Sequence, residues 1–154
     1  MADPRDQLQQ RITSELLGVA RLYRREVDRR LVDHGLTDAR AVPILHIARS
    51  GDGMRQGTLA EELGLEGPSL VRLLDQLCAA GLVERRDDPA DKRAKTLHIT
   101  DQGRAMAGVA ETALQKVRGE MLADVSFADL AATVRTLAAF KITLDAAEKR
   151  AQAR

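Results

Sequence analysis

At Gly81 the apolar residues of this chain stop recurring every three or four positions and begin to alternate. Before it, "LEGPSLVRLLDQLCAAG" reads as a helix from about Glu66 to Ala80: Pro68 is tolerated in a first turn that needs no amide donor, and Gly81 sits where a C-terminal glycine is expected. After it, Leu82 and Glu84 alternate with Val83 and Arg85, and later Leu97 and Ile99 alternate with Thr96 and His98, which is the period of a strand. Between the two runs lies "DDPADKR", polar and carrying Pro89, so the spacing predicts a short β-hairpin with a solvent-exposed tip. The segment is also crowded with opposed charges: Glu84, Asp87, Asp88 and Asp91 against Arg85, Arg86, Lys92, Arg93 and Lys95.

Elsewhere the periods are helical. From about Asp6 to His34, Leu16, Ala20, Tyr23, Val27 and Leu31 make one stripe on a long helix that Gly35 ends. "LTDARAVPILHIAR" follows, with Thr37 as N-cap and Val42, Leu45, Ile47 and Ala48 as its buried side, and "SGDG" then breaks the chain. A short helix around "TLAEELG" has Thr58 and Glu61 at capping-box spacing and Gly64 as a stop. Beyond the hairpin, Thr100 caps "DQGRAMAGVAETALQKVRGEML", and Ser126 with Asp129 opens a last helix.

The expected fold is therefore mainly α with a small β-hairpin wing: a winged helix-turn-helix between N- and C-terminal helices. With 154 residues, one continuous core is expected. A single cysteine, Cys78, excludes an internal disulfide, and three scattered histidines give no zinc spacing, so no metal or cofactor is expected. "MADPRDQLQQ" has no apolar leader core and no window approaches the roughly 20 apolar residues of a membrane span, so the expectation is a cytoplasmic protein without membrane contact. Catalysis is not expected either: there is no Ser/His/Asp order, phosphate loop or metal set.

A net charge of +1 argues against binding polyanions by bulk charge, but position matters more than the sum. On the helix from Glu66, Leu70, Leu74, Leu77 and Cys78 fall on one side and Ser69, Arg72, Asp75 and Gln76 on the other. That second side can enter a major groove, Arg72 forking onto guanine and Ser69 meeting a base edge or phosphate. A hairpin tip bearing Lys92 and Arg93 can reach a minor groove, with Asp91 orienting a cation and Arg85 and Arg86 at the base meeting phosphates. The alternative for Arg72 is a surface pairing with Asp75 or Gln76. Cys78 reads as a small buried hydrophobe more readily than as a redox sensor.

From about Leu16 onward the chain resembles the MarR family of bacterial transcription regulators, and within it the SlyA-like branch. "LAEELGLEGPSLVRLLDQL", "AAGLVERRDDPADKRAK" and "LHITDQG" carry the likeness, matching recognition helix, wing and following helix start in order and spacing. The resemblance implies a homodimer whose terminal helices (residues 6–35 and 101–150) interlock around a winged DNA-binding region (36–100). Its partner would be double-stranded DNA with a pseudo-palindromic operator, and its effector often a small aromatic anion. The candidate DNA contacts are Pro68, Ser69, Arg72, Gln76, Arg85, Arg86, Asp91, Lys92 and Arg93. Asp91 and Arg93 match the family's wing motif, but Lys92 stands where arginine is frequent and loses the planar fork. Arg55 departs as well, standing where a hydroxyl cap is usual, which puts the start of the short helix in question. An effector would sit near Arg21, Tyr23, Arg24, His46 and Arg72, although the Arg24 guanidinium could equally find its anion on a second subunit. A protein-interaction module on the same scaffold is the competing function.

Overall fold

The computed structural model describes residues 3–51 and 53–152. Nine elements follow in order: α1 (Pro4–Leu31), α2 (Asp38–Ser50), β1 (Met54–Arg55), α3 (Gln56–Leu63), α4 (Gly67–Ala79), β2 (Val83–Asp87), β3 (Lys95–Ile99), α5 (Asp101–Met121) and α6 (Phe127–Gln152), with a 3-10 turn at Val32–His34. The chain divides into two compact units, one up to Arg118 and one from Gly119 onward.

The first unit holds the core. Val27 and Leu31 of α1 meet Ile44 and Ile47 of α2, Leu59 of α3, Leu70, Leu74 and Leu77 of α4, Val83, Leu97 and Ile99 of the sheet, and Ala110, Leu114 and Val117 of α5 in one apolar cluster. Each fully buried leucine contributes on the order of 1.5–3 kcal/mol of transfer free energy. Only the C-terminal part of the predicted α1 stripe takes part, since Leu16, Ala20 and Tyr23 are exposed to solvent in the protomer. In α2 the buried side is turned toward Ala41, Pro43, Ile44, Leu45 and Ile47, leaving Val42 and Ala48 half-buried.

α4 ends as its glycine requires. Gly81 has φ +69°, the Gly81 N–H reaches Cys78 O (2.9 Å) and the Leu82 N–H reaches Leu77 O (3.0 Å), a paired closure that needs a left-handed residue at this point. The chain then enters β2 directly. β2 pairs antiparallel with β3, Arg85 opposite Leu97 and Asp87 opposite Lys95. Thr100 accepts the Gly103 N–H (2.9 Å) on its hydroxyl, which in turn lies 2.7 Å from Gly81 O, so the cap of α5 is tied to the end of α4.

Two expectations are corrected. The sheet has three strands, because Met54 and Arg55 pair with Leu97 and Thr96 and place β3 in the centre. Second, Thr58 and Glu61 form no capping box: α3 already begins at Gln56, with Arg55 at the cap position and no side chain closing it. The ladder to β3 holds Arg55 extended, so the helix starts as soon as that pairing ends. Thr37 likewise precedes α2 in extended conformation but its hydroxyl makes no capping bond.

The second unit contains α6. Ser126 caps it as expected, its hydroxyl accepting the Asp129 N–H (3.1 Å) and donating to Asp129 Oδ2 (2.6 Å). Phe127, Val134, Leu137, Ile142 and Leu144 are all exposed.

Candidate nucleic-acid interface

α4 is held by one face and open on the other. Leu70, Leu74 and Leu77 sit in the core, while Pro68, Ser69, Arg72, Asp75 and Gln76 are exposed. Arg72 makes no ion pair or side-chain hydrogen bond among the described residues, and Asp75 pairs instead with Arg85. The alternative reading of Arg72, a surface pairing with Asp75 or Gln76, is not realised, and the residue is exposed on the helix's solvent face. Cys78 is half-buried, in a shallow recess shared with Val83, Glu84 and Arg85.

The wing tip is a closed loop rather than a loose one. Asp88 N–H donates to Ala94 O (3.1 Å), Asp91 N–H to Asp88 O (3.2 Å) and Ala94 N–H to Asp91 O (2.9 Å). Asp91 Oδ1 accepts the Arg93 backbone N–H at 3.0 Å, so Asp91 shapes the turn through the main chain and does not pair with the Lys92 or Arg93 side chain. Both cations project into solvent.

At the wing's base the two arginines part ways. Arg86 is exposed, its Nη2 2.9 Å from Glu84 Oε2. Arg85 is half-buried and turned inward: Nη2 donates to Val71 O (3.2 Å) and to Asp75 Oδ1 (2.5 Å), and its buried Nε has no acceptor. In the protomer the Arg85 head group thus ties β2 to α4, at the position where the sequence suggests a phosphate contact.

Arg55, marked in the sequence only as an unusual cap, also reaches the wing. Its Nε and Nη2 lie 2.9 and 2.8 Å from Asp88 Oδ2, and Asp88 Oδ1 accepts the Ala90 N–H at 2.8 Å. The Ala90 amide first, and Arg55 with it, hold the Asp88 carboxyl below its ordinary range. No sequence signal marks this pair, which is 33 residues apart. Beside it, a cleft of about 440 Å³ is lined by Arg55, Gln56, Thr58, Glu61, Arg93 and Lys95.

The expected effector residues do not converge. His46 Nδ1 is 2.7 Å from Glu62 Oε2, joining α2 to α3, while Arg21 and Arg72 stand exposed on different helices. Arg24 lines a cavity of about 330 Å³ with Asp38, Val42, Pro43, Leu63, Leu65, Ser69 and Leu73. Arg24 Nε is 3.7 Å from Asp38 Oδ2 of the same protomer, and its side chain stays 76% exposed. Burial pushes the Asp38 carboxyl up, Arg24 opposes that, and Asp28 adds to it.

A helix offered by its solvent face, a short helix preceding it and a cationic hairpin following it define a winged helix-turn-helix DNA-binding protein. The sequence model of the MarR family matches residues 34–94. The transcriptional regulator PA3341 is 34% identical, with 87% of this chain and 98% of that one covered and a TM-score of 0.79. A MarR variant from E. coli in complex with operator DNA shares the fold at 21% identity (90% and 99% covered, TM-score 0.78). So does CouR from Rhodococcus jostii RHA1 bound to p-coumaroyl-CoA, at 24% identity (82% and 88% covered, TM-score 0.74). The chain belongs to the MarR family of transcriptional regulators, which bind DNA and are not enzymes. Among the described residues no helix is long and apolar enough to cross a membrane.

Proposed function

We propose that this protein is a homodimeric, sequence-specific transcription regulator that binds a pseudo-palindromic operator in the bacterial cytoplasm, with the SlyA-like wing its sequence suggests. The observation that carries the reading is the pairing of two exposed cationic features on one rigid frame: Ser69, Arg72 and Gln76 on α4, and Lys92 and Arg93 on a hydrogen-bonded tip. α4 enters the major groove by its first turns, where Pro68 keeps the backbone close, and the wing enters the flanking minor groove with Arg86 on a phosphate. Operator binding by the related E. coli protein supports this assignment.

Dimerisation supplies the second half-site. Leu8, Ile12, Leu16, Leu17, Val19 and Leu22 of α1 and the apolar residues of α6 lie exposed in the protomer, a quantity of apolar surface that a monomer rarely leaves open. A second copy covering it sets the recognition helices about one helical turn, roughly 34 Å, apart. In this reading the terminal helices serve assembly and the intervening region serves DNA.

A small aromatic carboxylate is the proposed effector, seated in the cavity beside Arg24 against Val42, Pro43, Leu63 and Leu73. Since Ser69 lines the same cavity, an occupant there bears directly on α4. The ligand carried by CouR, an aromatic acyl thioester, supports the aromatic part of this assignment. Footprinting on the protein's own upstream region, with and without aromatic carboxylates, tests both parts. A protected inverted repeat that is lost on adding the carboxylate is expected, and uniform protection proportional to charge alone would overturn sequence specificity.

A further inference from the structure

Asp88 is 6% exposed, although it stands at the neck of a loop that is otherwise open to water. A carboxylate so placed needs both oxygens satisfied, and it has them: Ala90 N–H on Oδ1 and the Arg55 guanidinium on Oδ2. Through its own amide and carbonyl Asp88 also closes the loop, to Ala94 and Asp91. Whatever orients Asp88 therefore orients the segment from which Lys92 and Arg93 project.

Arg55 comes from a different part of the fold. It ends β1 and stands immediately before α3, at the cap position of the helix that leads into α4. β1 is only two residues long, so the Arg55 side chain extends its hold from the sheet to the tip. We propose that Arg55 is a positioning residue for DNA recognition: by gripping Asp88 it fixes the bearing of the wing tip relative to the helix-turn-helix, so that tip and α4 reach adjacent grooves together. This rests on the DNA-binding reading above. The role depends on two N–H donors reaching one carboxylate oxygen, which a lysine cannot reproduce.

The test uses Arg55→Lys and Asp88→Asn, both of which retain shape, and their combination. In the free protein, amide exchange at Ala90, Asp91 and Ala94 is expected to speed up about tenfold in either variant, as local opening no longer breaks the Arg55 grip. Unchanged exchange at these amides overturns the proposal. On the upstream operator fragment, each variant is expected to bind about tenfold more weakly with the salt slope of the parent, and the double variant no more weakly than either single one. Full rescue by lysine with additive losses would instead identify Arg55 as a phosphate contact and overturn the positioning role. Should the parent protein fail to select the operator, it is the DNA-binding reading that falls, and the exchange data still decide whether Arg55 holds the tip.

Discussion

Arg85 of β2 and Asp75 of α4 meet at 2.5 Å, Nη2 to Oδ1, joining the wing directly to the helix it accompanies. The pair is unequal, because Asp75 is largely in water while Arg85 is half-buried with an orphaned Nε. Removing the guanidinium thus loses a screened ion pair worth about 0.2–1 kcal/mol and also relieves an unsatisfied buried donor. Arg85→Met is expected to change stability by less than about 1 kcal/mol and to leave the salt slope of DNA binding unaltered. Arg86→Ala, by contrast, is expected to lower that slope by about one. Salt titrations of the two variants check this, and a slope change for Arg85→Met would return that residue to the phosphate-contacting set.

Arg72 and Arg93 are assigned different readouts. Arg72→Ala is expected to cost about 1–3 kcal/mol against the preferred operator and to relax selection at one base pair, since a bidentate contact to guanine carries sequence information. Arg93→Ala should weaken all sequences alike if the residue neutralises a phosphate, or cost about 1–3 kcal/mol if it reads the minor groove. Competition binding against single-base operator variants separates these effects. Equal affinity of Arg72→Ala and parent for every variant would place α4 outside the groove.

Leu17 is 75% and Ile142 69% exposed in the protomer, so neither supports the protomer's own core. Leu17→Glu and Ile142→Glu are expected to leave secondary structure intact while shifting the mass measured by sedimentation from two chains to one. Operator affinity should fall with it, because half-sites then bind independently. A parent protein that sediments as one chain would remove the premise.

Much of this architecture could be read from local pattern. Gly81 was legible because a left-handed closure, a stop signal and a change of period coincide on one residue, and the face of α4 followed from the spacing of Leu70, Leu74 and Leu77. What escaped notice was non-local. Met54–Arg55 is too short to show alternation, and it becomes a strand only because β3 is alongside. Thr58 and Glu61 had capping spacing, but the ladder set the start of α3 earlier. Arg85 and Arg86 are neighbours with identical chemistry, and only the approach of Val71 and Asp75 distinguishes them. The effector residues expected from the first helix and its surroundings do not converge, because His46 is engaged by Glu62 across α2 and α3.

Gly103 is constrained by a close approach that sequence gave no reason to suspect. A Cβ there would lie 2.0 Å from Leu82 O and 2.8 Å from Ile99 Cδ1, and the first of these is backbone that cannot swing aside. Gly103→Ala is expected to lose at least about 1–3 kcal/mol, despite alanine's better helix propensity, as overpacking forces α5 away from the end of α4. Thermal unfolding measures it. A rise in midpoint would mean that the contact at Leu82 relaxes freely.

Glu111 of α5 accepts from Arg118 (2.7 Å) and pairs with Arg49 of α2. The hydrogen bond from Arg118 is the main cause that holds its carboxyl below the ordinary value of 4.5; partial burial opposes the shift and Arg49 adds to it. A depressed folded value means that the unfolded chain binds the proton more readily, so the stabilisation is complete above the ordinary value and is lost as pH falls through the folded one. Asp88 acts in the same sense, whereas Asp38, whose carboxyl is raised, contributes in the opposite one: its share is present at low pH and fades as pH rises through its folded value. Glu111→Gln is therefore expected to be less stable than the parent at neutral pH by about 0.2–1 kcal/mol, the pair being partly screened by solvent. The gap should close as the solution is acidified below the ordinary carboxylate range. Unfolding midpoints collected across that range check the sign, and two curves that stay parallel into strong acid would show that Glu111 titrates alike in the folded and unfolded chain.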